Sequence, residues 1–386
     1  MRCVLIGPTY PFRGGISHYT TLLCQNLRQR HEVEFYTFTR QYPSFLFPGR
    51  TDRDPSKLPL RADAIPLIDP VNPLTWLRAA RRIRDSRPEL LIMQWWVPYW
   101  APAFATIGFL VRRFTRTRIL FICHNVAPHE RGFADRLSAR TTLRHGHHFI
   151  VHSHRDLVDL KAMLPQAEAT RAALPICDFS TNPRPSQQEA KRELNLSGKK
   201  VLLFFGFVRP YKGVEYIIRA MPQILERVDA HLLIVGEFWS PESDYRALID
   251  QLGLSHAVGI VNRYVPNEEV ALYFTAADLV VLPYLEATQS AVVPIAYGFE
   301  RPVLTTRVGG LAEVVKDGET GLLVPPADSE ALAETVVTFF REELGAQLAA
   351  NIHKERERFS WDALVDLIEV VARVDPATDE APCPAC

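Results

Sequence analysis

The residues best suited to chemistry run from Gly206 through Phe207, Val208, Arg209, Pro210, Tyr211 and Lys212 to Gly213. An apolar run from Lys200 to Phe207 leads into them and a helical pattern follows from Gly213. Arg209 and Lys212 therefore stand just ahead of a helix N-terminus, which exposes unpaired N–H groups. Two cations and a helix dipole together neutralise a pyrophosphate. The bland alternative is a surface loop with two exposed basic side chains. Gly14-Gly15, also between a strand and a helix, lets backbone N–H groups approach a phosphate or sugar closely. The pair is not a G-x-G-x-x-G fingerprint, which argues against a dehydrogenase. Histidines crowd the first half (His18, His124, His129, His145, His147, His148, His152, His154), but their spacing fits no zinc template. His18 and His124, at loop and strand ends, are the better candidates, whereas His145 to His154 read as solvated or capping residues. Asp52-Arg53-Asp54 lies in a proline-rich stretch with no strand before it, so no metal is implied. No paired carboxylates and no Ser/His/Asp set stand out.

The elements that must position these residues alternate. Arg2–Gly7 reads as a buried strand, Ile16–Arg30 as a helix with apolar residues at helical spacing, and His31–Phe38 as a strand. Such a βαβ unit implies a parallel sheet. From Tyr42 to Pro73 seven prolines interrupt the chain, which reads as a long irregular segment. A basic helix over Thr75–Arg87, a strand over Glu89–Gln94, an aromatic helix over Tyr99–Arg113 and strands at Arg118–Cys123 and Phe149–His152 follow. Pro175–Gln188 loses apolar period and reads as a linker. The pattern then restarts with strands at Lys200–Phe207, His231–Val235, Val258–Arg263, Leu279–Pro283 and Pro302–Thr306. Helices are expected over Gly213–Glu226, Tyr245–Leu252, Glu268–Ala276, Ala331–Arg341 (capped by Asp328) and Trp361–Val374. Ligands of open α/β sheets bind at the carboxyl ends of the strands, so two such domains place a cleft between two binding edges.

A length of 386 residues favours two domains over one core. The expected division is 1–178, 189–358, a returning helix at 359–374 and a disordered tail at 375–386. The net charge of zero hides an asymmetry. Residues 1–178 carry 25 Lys and Arg against 14 Asp and Glu, a net of +11, and the remainder carries 19 against 30, a net of −11. Either the first half faces an anionic partner or the halves attract each other across their cleft. The six cysteines form no framework and read as reduced thiols of a cytoplasmic protein; Cys383 and Cys386 belong to the tail. Trp95–Val111 is apolar but contains Pro98 and Pro102 and is short for a membrane span. The cluster Trp95, Trp96, Tyr99, Trp100 and Phe104, ahead of Arg112, Arg113, Arg116 and Arg118, reads as a buried helix with a basic end. Its functional alternative is peripheral contact with an anionic membrane, at the inner face, where a lipid-linked acceptor would lie. Nucleic acid is not an expected partner.

The run Ala277-Asp278-Leu279-Val280-Val281-Leu282-Pro283-Tyr284, then Val308-Gly309-Gly310-Leu311-Ala312-Glu313 and Asp317-Gly318-Glu319-Thr320-Gly321-Leu322-Leu323-Val324-Pro325, carries a resemblance. With Arg209/Lys212, Gly14-Gly15-Ile16, His124-Asn125 and Ser360-Trp361 in order, residues 2–374 resemble the retaining GT-B glycosyltransferases of family 4. The resemblance implies two Rossmann-like α/β domains facing across a cleft. It implies transfer of a sugar from a nucleoside diphosphate donor to an acceptor, with retention and no cofactor or metal. The leaving phosphate itself would help deprotonate the acceptor. By the same resemblance Arg209 and Lys212 would grip the pyrophosphate, and Tyr264-Val265 would meet the base. Glu286, Gln289 and Ser290 would hold phosphate and sugar, and His124 the donor sugar. Gly14, Gly15 and Gly206 would let the donor approach, with His18 and His129 on the acceptor side. One departure stands out: the family's usual pair of glutamates would fall at Ala287 and Ile295. A nucleotide-sugar epimerase on the same fold, or a catalytically silent binding subunit, are the alternatives.

Overall fold

A computed structural model of the chain describes residues 1–42, 51–126, 133–177, 179 and 184–373. The first half is a seven-stranded sheet in the order β3-β2-β1-β4-β5-β6-β7 and the second a six-stranded sheet in the order β10-β9-β8-β11-β12-β13. Every pairing in both is parallel. In chain order the first half runs β1 (Arg2–Ile6), α1 (Gly15–Arg28), β2 (Glu32–Phe38), β3 (Ile65–Ile68), α2 (Pro73–Ser86) and β4 (Leu90–Trp95). It continues with α3 (Ala101–Phe114), β5 (Arg118–Cys123), α4 (Phe133–Leu143), β6 (His148–Val151), α5 (His154–Met163) and β7 (Ala169–Arg171). The second half runs α6 (Gln187–Glu193), β8 (Lys200–Phe205), α7 (Val214–Leu225), β9 (Ala230–Val235), α8 (Glu242–Gln251), β10 (Val258–Val261) and α9 (Asn267–Ala276). Then come β11 (Leu279–Leu282), α10 (Val292–Gly298), β12 (Val303–Thr306), α11 (Leu311–Val314) and β13 (Gly321–Val324). Helices α12 (Ser329–Arg341), α13 (Leu344–Lys354) and α14 (Trp361–Arg373) close the chain.

Helices cover both faces of the first sheet, so its central strands carry near-continuous apolar runs, and β4 and β5 are buried throughout. One face packs α2, α3, α4 and α5 through Trp76, Phe104, Leu143 and Leu160. The other packs α1 with the last helix of the chain, α14, through Leu23, Leu27, Leu364 and Ile368. Arg30, in the turn after α1, clasps α14 through Asp362 (2.7 Å) and Asp366 (2.5 Å).

The irregular reading of Tyr42–Pro73 misses β3. Its IPLI run sits at the sheet edge, where a proline removes no ladder bond. The aromatic cluster is core: Trp95, Trp96, Trp100 and Phe104 are buried, and Phe38 stacks on Trp100 with ring centroids 3.9 Å apart. Those rings reach no membrane. Cys3, Cys24, Cys123 and Cys177 are buried free thiols, and Cys383 and Cys386 lie outside the described residues. Among the described residues no helix is long and apolar enough to cross a membrane.

Candidate active site

Both sheets direct their carboxyl strand ends to one crevice, where a cavity of about 330 Å³ opens between the halves. The β8 end brings Gly206 and Arg209, and the turn before α7 brings Lys212. Gly213 makes that turn possible: its φ of +62° is left-handed, and a Cβ there would sit 2.1 Å from the Pro283 carbonyl oxygen. Arg209 stacks on the Trp239 ring at 3.8 Å, which fixes its planar fork. The Lys212 ammonium lies 3.5 Å over the Tyr284 ring. Burial, and then the charge of Arg209, pull the Lys212 pKa down from 10.5 to about 7. An anion between the two cations would reverse the second effect.

From the first half, Gly14, Gly15 and His18 close the same cavity. The Gly14 N–H donates to the Tyr264 hydroxyl across the crevice (3.3 Å). Next to it, Arg13 forms a fork with Glu237 (2.6 and 3.1 Å), with both side chains almost fully buried. The Arg13 guanidinium also lies 4.9 Å from the Tyr264 ring centre. Val265, Gln289 and Ser290 line the remaining wall. The Ser290 hydroxyl accepts the Val292 N–H at the start of α10 and sits 3.3 Å from the Tyr284 hydroxyl.

A second cavity of about 200 Å³ shares Gly15, Gln289 and Ala291 with the first and contains His124, Asn125, His152 and Thr288. His124 Nε2 meets Gln94 Oε1 at 2.7 Å; Gln94 is the polar residue of the otherwise apolar β4. Burial and the neighbouring His152 hold the His124 pKa well below its usual value, so the ring is a neutral partner for hydroxyl groups. The Asn125 carbonyl accepts from Thr288 across the crevice (2.5 Å), and the Gln289 amide donates to the His152 carbonyl.

Several expectations need correction. Glu286 is exposed and lines neither cavity. His152 is neither solvated nor a cap: it is buried behind His124, with its Nδ1 2.9 Å from the Ala172 carbonyl oxygen. His129 lies outside the described residues. Asp54 of the Asp-Arg-Asp run faces His18 (3.6 Å) and accepts from Ser56. Ala287 and Ile295 are buried apolar residues, and Ile295 lines the main cavity. Among the described residues no cluster of three His, Cys, Asp or Glu could hold a metal. Arg13, Glu237 and Asn267 carry no motif of their own, and only the folded arrangement shows that they belong to the site.

Two parallel α/β sheets facing each other across a crevice define the GT-B architecture. Residues 14–173 match the model of the glycosyl transferase 4-like domain, and residues 199–342 match that of the glycosyl transferases group 1. The chain belongs to the group 1 glycosyl transferases. It is 32% identical over 185 residues to a D-inositol 3-phosphate glycosyltransferase of Corynebacterium efficiens, covering 46% of this chain and 43% of that one. The chain spans about half the length of the curated relatives it matches. Sucrose-phosphate synthase from Thermosynechococcus elongatus superposes with a TM-score of 0.73 at 21% identity, covering 96% of this chain and 98% of that one. Anabaena HepE, solved with UDP and glucose, gives 0.73 at 16% identity, covering 97% and 100%. At these identities the two structures support the fold alone.

Proposed function

We propose that the chain transfers a glycosyl group from a nucleoside diphosphate sugar to an acceptor hydroxyl with retention of configuration. The observation that carries this is the convergence of Arg209 and Lys212 on a cavity walled by both halves. In such a transfer the bond between the sugar C1 and the β-phosphate oxygen breaks, the acceptor oxygen bonds to C1, and its proton passes to the departing phosphate. Arg209 and protonated Lys212 stabilise the charge building on that phosphate. The adjoining cavity, with its neutral His124 and the Asn125–Thr288 pair, suits the hydroxyls of the donor sugar. The name of one relative, a D-inositol 3-phosphate glycosyltransferase, supports glycosyl transfer. An epimerase would need a free acid/base carboxylate. Among the described residues the carboxylate lining the cavity is Glu237, and Arg13 holds it.

Lys212→Ala is expected to cut turnover at least about a hundredfold with the fold intact. Near-normal turnover in that variant rejects the role. Recovery of an isomerised donor would identify the epimerase, and neither transfer nor donor hydrolysis would identify a silent subunit.

A lipid-linked acceptor, in assembly of a surface polysaccharide or glycolipid, is the biological setting we favour. The support lies on α2 and α3, where Leu74, Leu77, Phe109 and Phe114 are exposed beside Arg78, Arg81, Arg112 and Arg113. That mixture suits peripheral contact with an anionic bilayer. Flotation with anionic vesicles at low salt tests it, and absence of binding ends the idea.

A further inference from the structure

Asn267 opens α9 and lines the main cavity, yet it is only 6% exposed. Neither its Oδ1 nor its Nδ2 has a hydrogen-bond partner. Buried amides are normally paired, and an orphan with both a donor and an acceptor unused is a site that a ligand completes. The backbone of this residue is held from the opposite half: its N–H donates to Ser56 Oγ (2.9 Å), and the neighbouring Glu268 carboxylate accepts the Lys57 N–H (3.0 Å). The side chain is thus a fixed group with nothing in the protein to bind.

The anion end of the cavity is occupied by Arg209, Lys212 and the Tyr284–Ser290 pair. Beyond that end the wall includes Val265, Asn267, Val270 and Ile295 together with Phe205, Tyr264 and Glu237, whose carboxylate is engaged by Arg13. Apolar Ile295 and Val270 offer a sugar ring no hydrogen bond. A vicinal diol, which donates twice, is best met by a carboxylate. A carboxamide presents one donor beside one acceptor, the pattern complementary to a base edge with an adjacent acceptor and donor.

We propose that the Asn267 carboxamide reads the hydrogen-bonding edge of the donor's nucleobase and so sets the nucleotide preference. The inference rests on the glycosyltransferase reading above, and its test separates the two. Affinities of UDP, CDP, ADP, GDP, their 2′-deoxy forms and inorganic pyrophosphate are measured by calorimetry on the full chain and on Asn267→Ala and Asn267→Asp. Loss of two hydrogen bonds should weaken the preferred nucleotide about tenfold to a hundredfold in Asn267→Ala. Pyrophosphate affinity should stay within about twofold, because the cations are untouched. The ligand-free melting temperature should hold or rise, since truncation removes an unsatisfied buried group. Asn267→Asp, which exchanges a donor for a second acceptor, should move preference toward guanine, whose edge offers two adjacent donors. Equal losses for every ligand including pyrophosphate would overturn the proposal, as would an unchanged preference among bases. A loss that disappears with the 2′-deoxy forms would assign Asn267 to the ribose and overturn it as well. Wild-type protein that binds none of these nucleotides would sink the glycosyltransferase reading together with this one.

Discussion

Lys212 gives the sharpest test of how the crevice handles charge. With its pKa pulled down to about 7 by burial and Arg209, it is half protonated at neutral pH. A bound diphosphate surrounds it with negative charge, so the complex holds the lysine protonated. Linkage then fixes the sign. Below pH 7 the cation is already present when the ligand arrives, and above it each binding event must take up a proton. Affinity for a nucleoside diphosphate should therefore fall about tenfold per pH unit above 7, or about 1.4 kcal/mol per unit. At pH 9 the loss reaches about a hundredfold. The terminal phosphate loses its last proton near pH 6, so it does not supply this slope. Calorimetry at constant ionic strength between pH 7 and 9, in buffers of different ionisation enthalpy, should show uptake approaching one proton per site. Lys212→Arg should bind with a flat profile, because a guanidinium does not titrate in this range. A flat wild-type profile, or an equal slope in Lys212→Arg, would refute the placement of a titrating lysine in the cavity.

Arg13→Ala leaves the Glu237 carboxylate buried without its fork and should cost about 3–5 kcal/mol in urea unfolding; a change below about 1 kcal/mol would show the pair to be solvated. Gly213→Ala forces φ of +62° on an alanine and drives its Cβ onto the Pro283 carbonyl, so stability should fall by at least about 2 kcal/mol. Lowered diphosphate affinity should accompany that fall, and full retention of both would contradict the turn geometry. Burial lowers the His152 pKa from 6.5 to about 4, so protonation favours the unfolded chain. Stability should be complete above pH 6.5 and decline by up to about 3 kcal/mol as pH falls toward 4, with a shallower decline in His152→Phe. Equal pH dependence in the variant would place the titration elsewhere.

What could be read before folding was whatever has a period or a punctuation mark. Strand β5 is legible because RILFIC is an unbroken apolar run, and α12 because Asp328 accepts the Ala331 N–H where a cap is expected. The edge strand β3 is hidden by its own proline, and β7 by its length of three residues. The glycine turns and the Arg209/Lys212 pair carry local signals, so they are legible too. Asn267 and Glu237 carry none: one is an ordinary helix start and the other follows a glycine at a strand end. Their significance comes from partners more than 200 positions away, Ser56 and Arg13, and no local pattern encodes such a pairing. Glu286 shows the opposite error, since closeness in sequence to a motif does not place a side chain in the cavity.

The opposite charges of the two halves find a structural use in the same crevice. Arg13 meets Glu237, Arg171 meets Glu313 at 2.7 Å, and Arg30 meets Asp362 and Asp366 of the returning helix. The first two join a cation of the first half to an anion of the second, as attraction between the halves requires, whereas Arg30 secures the returning helix against the first sheet. The neutral stitches, Gly14 to Tyr264, Ser56 to Asn267 and Thr288 to Asn125, fall beside the cavities. Groups that hold the halves together are thus neighbours of the groups that would hold the donor. A ligand that bridged Lys212 and Asn267 would stabilise this arrangement of the halves by as much as it binds it better than one with the halves apart.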